Sequence, residues 1–207
     1  GRITVDDVVD VIREESESAV LNMAGLTEEE DIFAPVLPSA RRRAIWLGIN
    51  LITALIASGV ISLFQDTIER VVALAVLMPI VASMGGIAGS QTLTLVIRGI
   101  ALGNISSTNA KSLLIKEVLV GLLNSLLWAC VIGVLSSYWF DNYLIGVVIG
   151  VAMVANLVFA ALSGVLIPLI FKKIGMDPAL GGGVILTTIT DVIGFFSFLT
   201  LGTLFLL

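Results

Sequence analysis

A chain of 207 residues that is 57% hydrophobic and 13% charged, with a mean hydropathy of +1.09, falls outside the ordinary soluble globular class and reads as an integral membrane protein. The net charge of −5 hides a division: residues 1–38 carry ten acids and two bases, whereas residues 39–207 carry nine bases and six acids. An acidic leader therefore precedes a mildly basic membrane region, and no basic patch with interleaved aromatics supports nucleic-acid binding. A single cysteine, Cys130, and no histidine rule out an intrachain disulfide and the usual nitrogen or sulfur ligation of zinc and copper. Any metal held here must be bound by oxygen, which selects Mg²⁺, Ca²⁺ or Mn²⁺. The chain opens on Gly1 rather than Met, so it is expected to begin partway into a longer protein.

Residues 1–15 predict a short strand and then a helix, with Thr4 or Asp6 as its cap and Val5, Val8, Val9 and Ile12 on one apolar face. That face is expected to pack on something outside this chain. Asp7, Asp10, Glu14 and Glu15 form a carboxylate stripe on the same helix, either a solvated face or a set of acids neutralised by cations. Residues 16–40 continue as a polar helix to about Gly25, then an acidic run from Glu28 to Asp31 and two prolines, Pro35 and Pro38, read as linker. Arg41, Arg42 and Arg43 introduce the first of five predicted spans, at about 44–64, 71–97, 118–138, 144–171 and 179–207. Each exceeds the roughly 20 residues that cross a hydrocarbon core.

Lysines and arginines near the span ends set the expected orientation. With the N-terminus cytoplasmic, Arg98, Lys111, Lys116, Lys172, Lys173 and the three arginines are all inside, and only Arg70 is outside. The C-terminus is then outside, with Tyr138, Trp139 and Tyr143 near the outer interface and Trp128 deeper.

Pro79 and the glycines Gly85, Gly86 and Gly89 interrupt the second span around Ser83, Ser90 and Gln91. Two readings stand: backbone loosened to line an ion path, or close packing through a small-xxx-small pair. Ser106, Ser107 and Thr108 can cap a short amphipathic helix leading into the third span. Lys116 beside Glu117 reads as an interfacial ion pair rather than a ligand. Asp177-Pro178 reads as N-cap and N1 of the last helix.

Asp191 lies in that last span, in the stretch GGGVILTTITDVIG, fourteen residues from Asp177 or about 21 Å along a helix. A carboxylate so deep in hydrocarbon must face protein, water or an ion. Thr187, Thr188 and Gly194 stand on its side of the helix at i−4, i−3 and i+3. This small, oxygen-bearing, singly anionic strip suits a hard cation; the alternative is a structural aspartate hydrogen-bonded to a neighbouring helix.

Three stretches resemble the MgtE magnesium transporter family: ITVDDVVDV the end of its second CBS domain, PIVASMGGIAGSQTLTLVIRGIALG its second-span motif, and MDPALGGGVILTTITDVIG its fifth-span motif. The resemblance covers nearly the whole chain. It implies an all-α integral membrane fold with five transmembrane helices per protomer, in a homodimer with one pore at the dimer interface. It divides the chain into 1–15, the end of the CBS-like cytosolic domain; 16–40, the acidic connecting (plug) helix and linker; and 41–207, the pore domain. Asp191 corresponds to the pore Mg²⁺ ligand, Thr187 to a contributor one turn below, and Asp177 to a further site near the cytosolic mouth. Asp7, Asp10 and Glu15 correspond to acids that bind regulatory Mg²⁺, while Ser18 and Ala19 replace acids frequent in the family. The usual GGN of the second span is GGI here, with Ile87 for Asn, and Val184 replaces a proline of the fifth.

Mg²⁺ is thus the expected ion, transported and regulatory, with Mn²⁺ or Co²⁺ as further candidates. The expected partners are a second copy of the chain, membrane lipid and the N-terminal cytosolic domains of a longer protein, in a multi-pass cell-membrane setting. The readings for function are a divalent-cation channel with Asp191 as the pore site, a Na⁺- or H⁺-coupled exchanger, or a non-transporting structural subunit. An enzyme is not expected: intramembrane aspartyl proteolysis needs two carboxylates sharing a proton, and each chain has one deep aspartate.

Overall fold

In a computed structural model the chain is described over residues 4–23, 25–26, 33, 35–106 and 108–207, without the side chains of residues 12, 15–17, 19, 20 and 23. The described residues form seven helices and no strand: α1 (Val5–Met23), α2 (Val36–Ser62), α3 (Gln65–Arg70), α4 (Val72–Ala101), α5 (Ala110–Trp139), α6 (Tyr143–Lys173) and α7 (Gly182–Leu206). Five of these, α2 and α4 to α7, are long and apolar enough to cross a membrane. Residues 1–3, where a strand is expected, lie outside the described residues, and the helix begins at Val5.

The span helices extend beyond their apolar stretches. α2 starts at Val36, so Pro38, expected in a linker, and the three arginines, expected just ahead of the span, fall inside it. Proline is tolerated there because the first-turn N–H groups have no intrahelical acceptor to lose. The amphipathic helix expected before the third span is the first part of α5 itself. Its N-cap is Asn109 rather than Ser106 or Thr108, and Ser107 lies outside the described residues. Asn109 Oδ1 accepts from the Ser106 amide in the loop (2.9 Å) without capping the helix. The short polar α3 between α2 and α4 is an element that hydropathy alone does not predict. α4 runs unbroken past Pro79 and the glycines, so of the two readings the backbone favours close packing over loosening. Neighbouring helices support a transmembrane helix through such residues.

α6 is the central element, packed against α4, α5 and α7 along most of its length. Leu74, Leu77 and Val81 of α4, Ile149 and Ala152 of α6, and Phe198 and Leu199 of α7 make one core cluster. Leu93, Ile97, Ile167, Ala179 and Leu186 close the other end. α5 and α6 form a hairpin through Phe140–Asn142, in which Asn142 Oδ1 accepts from the Leu144 amide (3.0 Å). Their backbones meet at Gly133 and Gly146, where a Cβ on Gly146 would run into Ser137 and the Gly133 carbonyl. α2, packed mainly on α7, and α5 keep large apolar side chains exposed, Leu51, Leu55, Leu123 and Val134 among them. Such faces suit lipid or another protein surface.

Gly146→Leu is expected to cost about 1–3 kcal/mol or more through overpacking of the hairpin. Gly48, which has no neighbour within 4 Å for a Cβ to meet, should accept alanine with unchanged or raised stability. Thermal unfolding in detergent compares the two.

Candidate cation site

The last helix starts later than its Asp-Pro signal suggests, because a turn intervenes. Asp177 Oδ1 accepts from the Ala179 amide (2.9 Å), the Leu180 amide reaches the Asp177 carbonyl (3.1 Å), and Gly181 takes a left-handed φ of 70°. This corrects Asp177 as N-cap and Pro178 as N1: helical geometry begins at Gly182. Glycine makes that conformation inexpensive.

From Gly182 onward the helical period brings Thr187 and Asp191 to one face. Across from them α4 presents Ser83, Gly86, Ile87, Ser90, Gln91 and Thr94, and the two helices bound an open groove of about 970 Å³. Asp191 is half-buried, and among the described residues no donor of the chain reaches its carboxylate. A charged side chain at the centre of a membrane helix costs about 2.5–3.5 kcal/mol on insertion scales, a cost that water or a cation in the groove would offset.

Thr187 Oγ1 donates to the Val184 carbonyl (3.0 Å), which leaves its lone pairs free to accept. Thr187 and Ser90 also line a second pocket of about 250 Å³ with Asn22, Trp46, Asn50 and Gly183. The groove thus shares two hydroxyl residues with a smaller recess near the start of α7. Asp177 is exposed, and its second oxygen accepts from Asn22 Nδ2 of the leader (2.9 Å). Both oxygens of Asp177 are therefore already engaged by donors.

Other residues singled out in the sequence stand elsewhere. Thr188 Oγ1 donates to the Val184 carbonyl (2.7 Å) and lies outside the groove lining, as does the exposed Pro79. Gly85 and Gly194 are buried against Asn156, and Gly89 against Leu186. The structure therefore brings Asp191, Thr187, Gly86 and Gln91 to one groove, with Gly85, Gly89 and Gly194 at helix contacts behind it. Asp7 and Asp10 are exposed on α1, and the Glu15 side chain lies outside the described residues. Among the described residues no three carboxylates converge at one point.

Glu117 is buried, with Lys116 Nζ at 3.1 Å and the Thr92 hydroxyl at 3.4 Å, an ion pair as the sequence indicates. Two residues by the groove are not singled out by the sequence pattern. Trp46 covers Gly25, where a Cβ would come within 2.9 Å of its ring, and reaches Gly181 at ordinary contact distance. Asn156 is fully buried in α6; its Nδ2 donates to the Val81 carbonyl (2.8 Å) while its Oδ1 has no partner. A buried acceptor left unsatisfied costs about 1–3 kcal/mol. A signal for it does exist, since Asn156 is the only amide in a 31-residue apolar helix.

A five-span helical bundle with a carboxylate opening onto a groove between two spans defines a multi-pass membrane protein equipped to meet a cation. The profile of the MgtE divalent cation transporters matches residues 78–201, which include both groove helices' facing residues. The chain is 31% identical over 206 residues to magnesium transporter MgtE of Bacillus subtilis, covering 100% of this chain and 46% of that protein. It is 32% identical over 206 residues to the Enterococcus faecalis protein of that name (100% and 45% covered) and 31% identical over 208 residues to that of Thermus thermophilus (100% and 46%). The chain spans a little under half the length of these relatives. With its profile matched over more than half its residues, the chain belongs to the MgtE divalent cation transporter family.

On α1, the Thr4 amide and, after it, the Thr4 hydroxyl both donate to Asp7 Oδ2 (2.7 Å each) and hold its carboxyl below the ordinary 3.8, against a smaller opposing effect of burial. A depressed folded value means this contribution to the helix start is complete above 3.8 and is lost as pH falls through the lowered value. Following the Thr4 amide by NMR should show its shift moving with the Asp7 titration in acid, and Asp7→Asn should flatten that response.

Proposed function

We propose that this chain is the membrane part of a Mg²⁺ transporter in which hydrated divalent ions pass along the groove between α4 and α7, with Asp191 as the cation site. One observation carries the reading: the Asp191 carboxylate opens onto the groove, and no donor among the described residues neutralises it. The relatives named magnesium transporters, aligned over the whole chain, support the choice of ion.

Mg²⁺ holds its waters tightly and usually binds proteins through one or two carboxylates. One chain supplies a single carboxylate to the groove, with Thr187, Ser90 and Gln91 as neutral oxygen donors. Two copies related by a two-fold axis would bring two Asp191 side chains to one passage and hold the ion through its water shell. Ile87 gives this chain an apolar side chain in the groove where the family resemblance leads one to expect an amide, so recognition rests on Asp191 and the hydroxyls. The excess of lysine and arginine on the leader's side of the spans supports a cytoplasmic leader.

Regulation follows from the leader's charge. Cytosolic Mg²⁺ bound among Asp7, Asp10 and Glu15 would offset repulsion along α1 and favour a closed passage; its loss would let the acids repel and open it. The Asn22–Asp177 hydrogen bond supports this coupling, because it joins the end of the leader to the approach to α7.

Asp191→Ala and Asp191→Asn are expected to reduce Mg²⁺ uptake into liposomes to background while leaving size-exclusion behaviour unchanged. Uptake retained at the wild-type rate by either variant would remove Asp191 from the mechanism.

A further inference from the structure

The residue that fixes the width of the groove lies behind it. We propose that Asn156 is a positioning residue for the Asp191 site: its flat amide, inserted between Gly85 of α4 and Gly194 of α7, sets how closely the two walls approach. The proposal rests on the reading of the groove as the ion's passage.

Asn156 belongs to α6, which touches both groove helices without lining the groove. On the α4 side its Nδ2 donates to the Val81 carbonyl (2.8 Å), and the same atom occupies the space a Cβ on Gly85 would need. On the α7 side a Cβ on Gly194 would come within 2.7 Å of that nitrogen and 3.1 Å of Val81 Cγ1. Both walls are therefore glycine where they meet one amide. These contacts are at the level of the site: Gly85 adjoins Gly86, which lines the groove, and Gly194 is less than one turn from Asp191.

Packing alone does not call for an amide at this position. An apolar side chain would fill the space and would not leave Oδ1 buried without a donor. What the amide has and a branched aliphatic lacks is a planar end, thin enough to slip between two glycine surfaces, and a donor that ties it to α4 at one height. A leucine would be thicker across that gap and would press the helices apart. An alanine would let them close. Either change moves the α4 hydroxyls relative to the Asp191 carboxylate, and a hydrated ion held at two walls is sensitive to their separation.

The test uses the full chain reconstituted in liposomes, with Mg²⁺ uptake, competition by Ca²⁺ and thermal unfolding as readouts. Asn156→Leu is expected to remain folded, while its half-saturating Mg²⁺ concentration rises about threefold or more and discrimination against Ca²⁺ falls. Gly85→Ala should weaken Mg²⁺ uptake in the same sense, and combining it with Asn156→Ala should return affinity and discrimination toward wild type, because the new methyl enters vacated space. Wild-type affinity and discrimination in folded Asn156→Leu would overturn the proposal. If that variant does not fold, the combined pair decides: recovery of melting temperature without recovery of Mg²⁺ affinity, or no recovery of either, overturns it as well. Asp191→Ala run alongside separates the two levels. Loss of uptake there with an unaltered Asn156→Leu sinks the positioning role alone, whereas retained uptake in Asp191→Ala sinks the transport reading and this role with it.

Discussion

A negative charge inside an apolar helix has to be compensated, and for Asp191 no described residue of the chain supplies the compensation. Among the described residues Asp191 receives neither a hydrogen bond nor a cation. An isolated intramembrane carboxylate of this kind is stable only beside water or a mobile ion. The groove between α4 and α7 supplies room for both, and Ser90, Thr187 and Gln91 place hydroxyl and amide oxygens along its otherwise largely apolar wall. Much else in the fold serves to keep that groove open on one side and rigid on the other.

Rigidity comes from close approach of helices through small residues, since lipid supplies no hydrophobic force to press them together. Gly89 of α4 accommodates Leu186 of α7, Gly85 and Gly194 accommodate Asn156, and Gly164 of α6 leaves room for Thr92. The polar residues buried behind the groove, Asn156, Thr190 and Ser163, sit on the inner faces of helices that the apolar core already clamps. The face toward the groove is different: Ile87, Ser90, Gln91 and Thr94 of α4 are exposed in a single chain. With Asp191 and Thr187 they leave this side of the bundle open in a single chain, a mainly apolar groove with a few oxygen-bearing side chains set into it.

How much of this is legible in the sequence depends on whether the signal is local. Five spans can be counted because an apolar run of more than twenty residues, repeated five times in a chain this short, is the length a bilayer demands. Their ends are misjudged wherever charge is taken as the boundary, as at Arg41–Arg43, because a helix continues for as long as its backbone bonds are satisfied, whatever its side chains prefer. Gly85, Gly86 and Gly89 fit both loosened backbone and a packing seam. The unbroken α4 favours the seam for Gly85 and Gly89, while Gly86 faces the groove. Asp191 and Thr187 stand out from charge and the helical period, properties of one segment alone. Asn156 is marked only as the one amide of an apolar helix, and its meaning depends on which helices flank α6, a pairing not written in any one segment. Asp177 with Pro178 carries a genuine local start signal, overridden by the glycine turn that follows.

The claim that a hydrated divalent ion is held at Asp191 can be checked by locating one. Mn²⁺ can stand in for Mg²⁺ as an oxygen-bound divalent cation, and its anomalous scattering marks it in a crystal of the protein. The account predicts a peak in the groove between α4 and α7, facing the Asp191 carboxylate with water between ion and protein, and no such peak in Asp191→Ala. A manganese peak unaffected by that substitution, or a groove empty at Mn²⁺ concentrations that saturate transport, would contradict it.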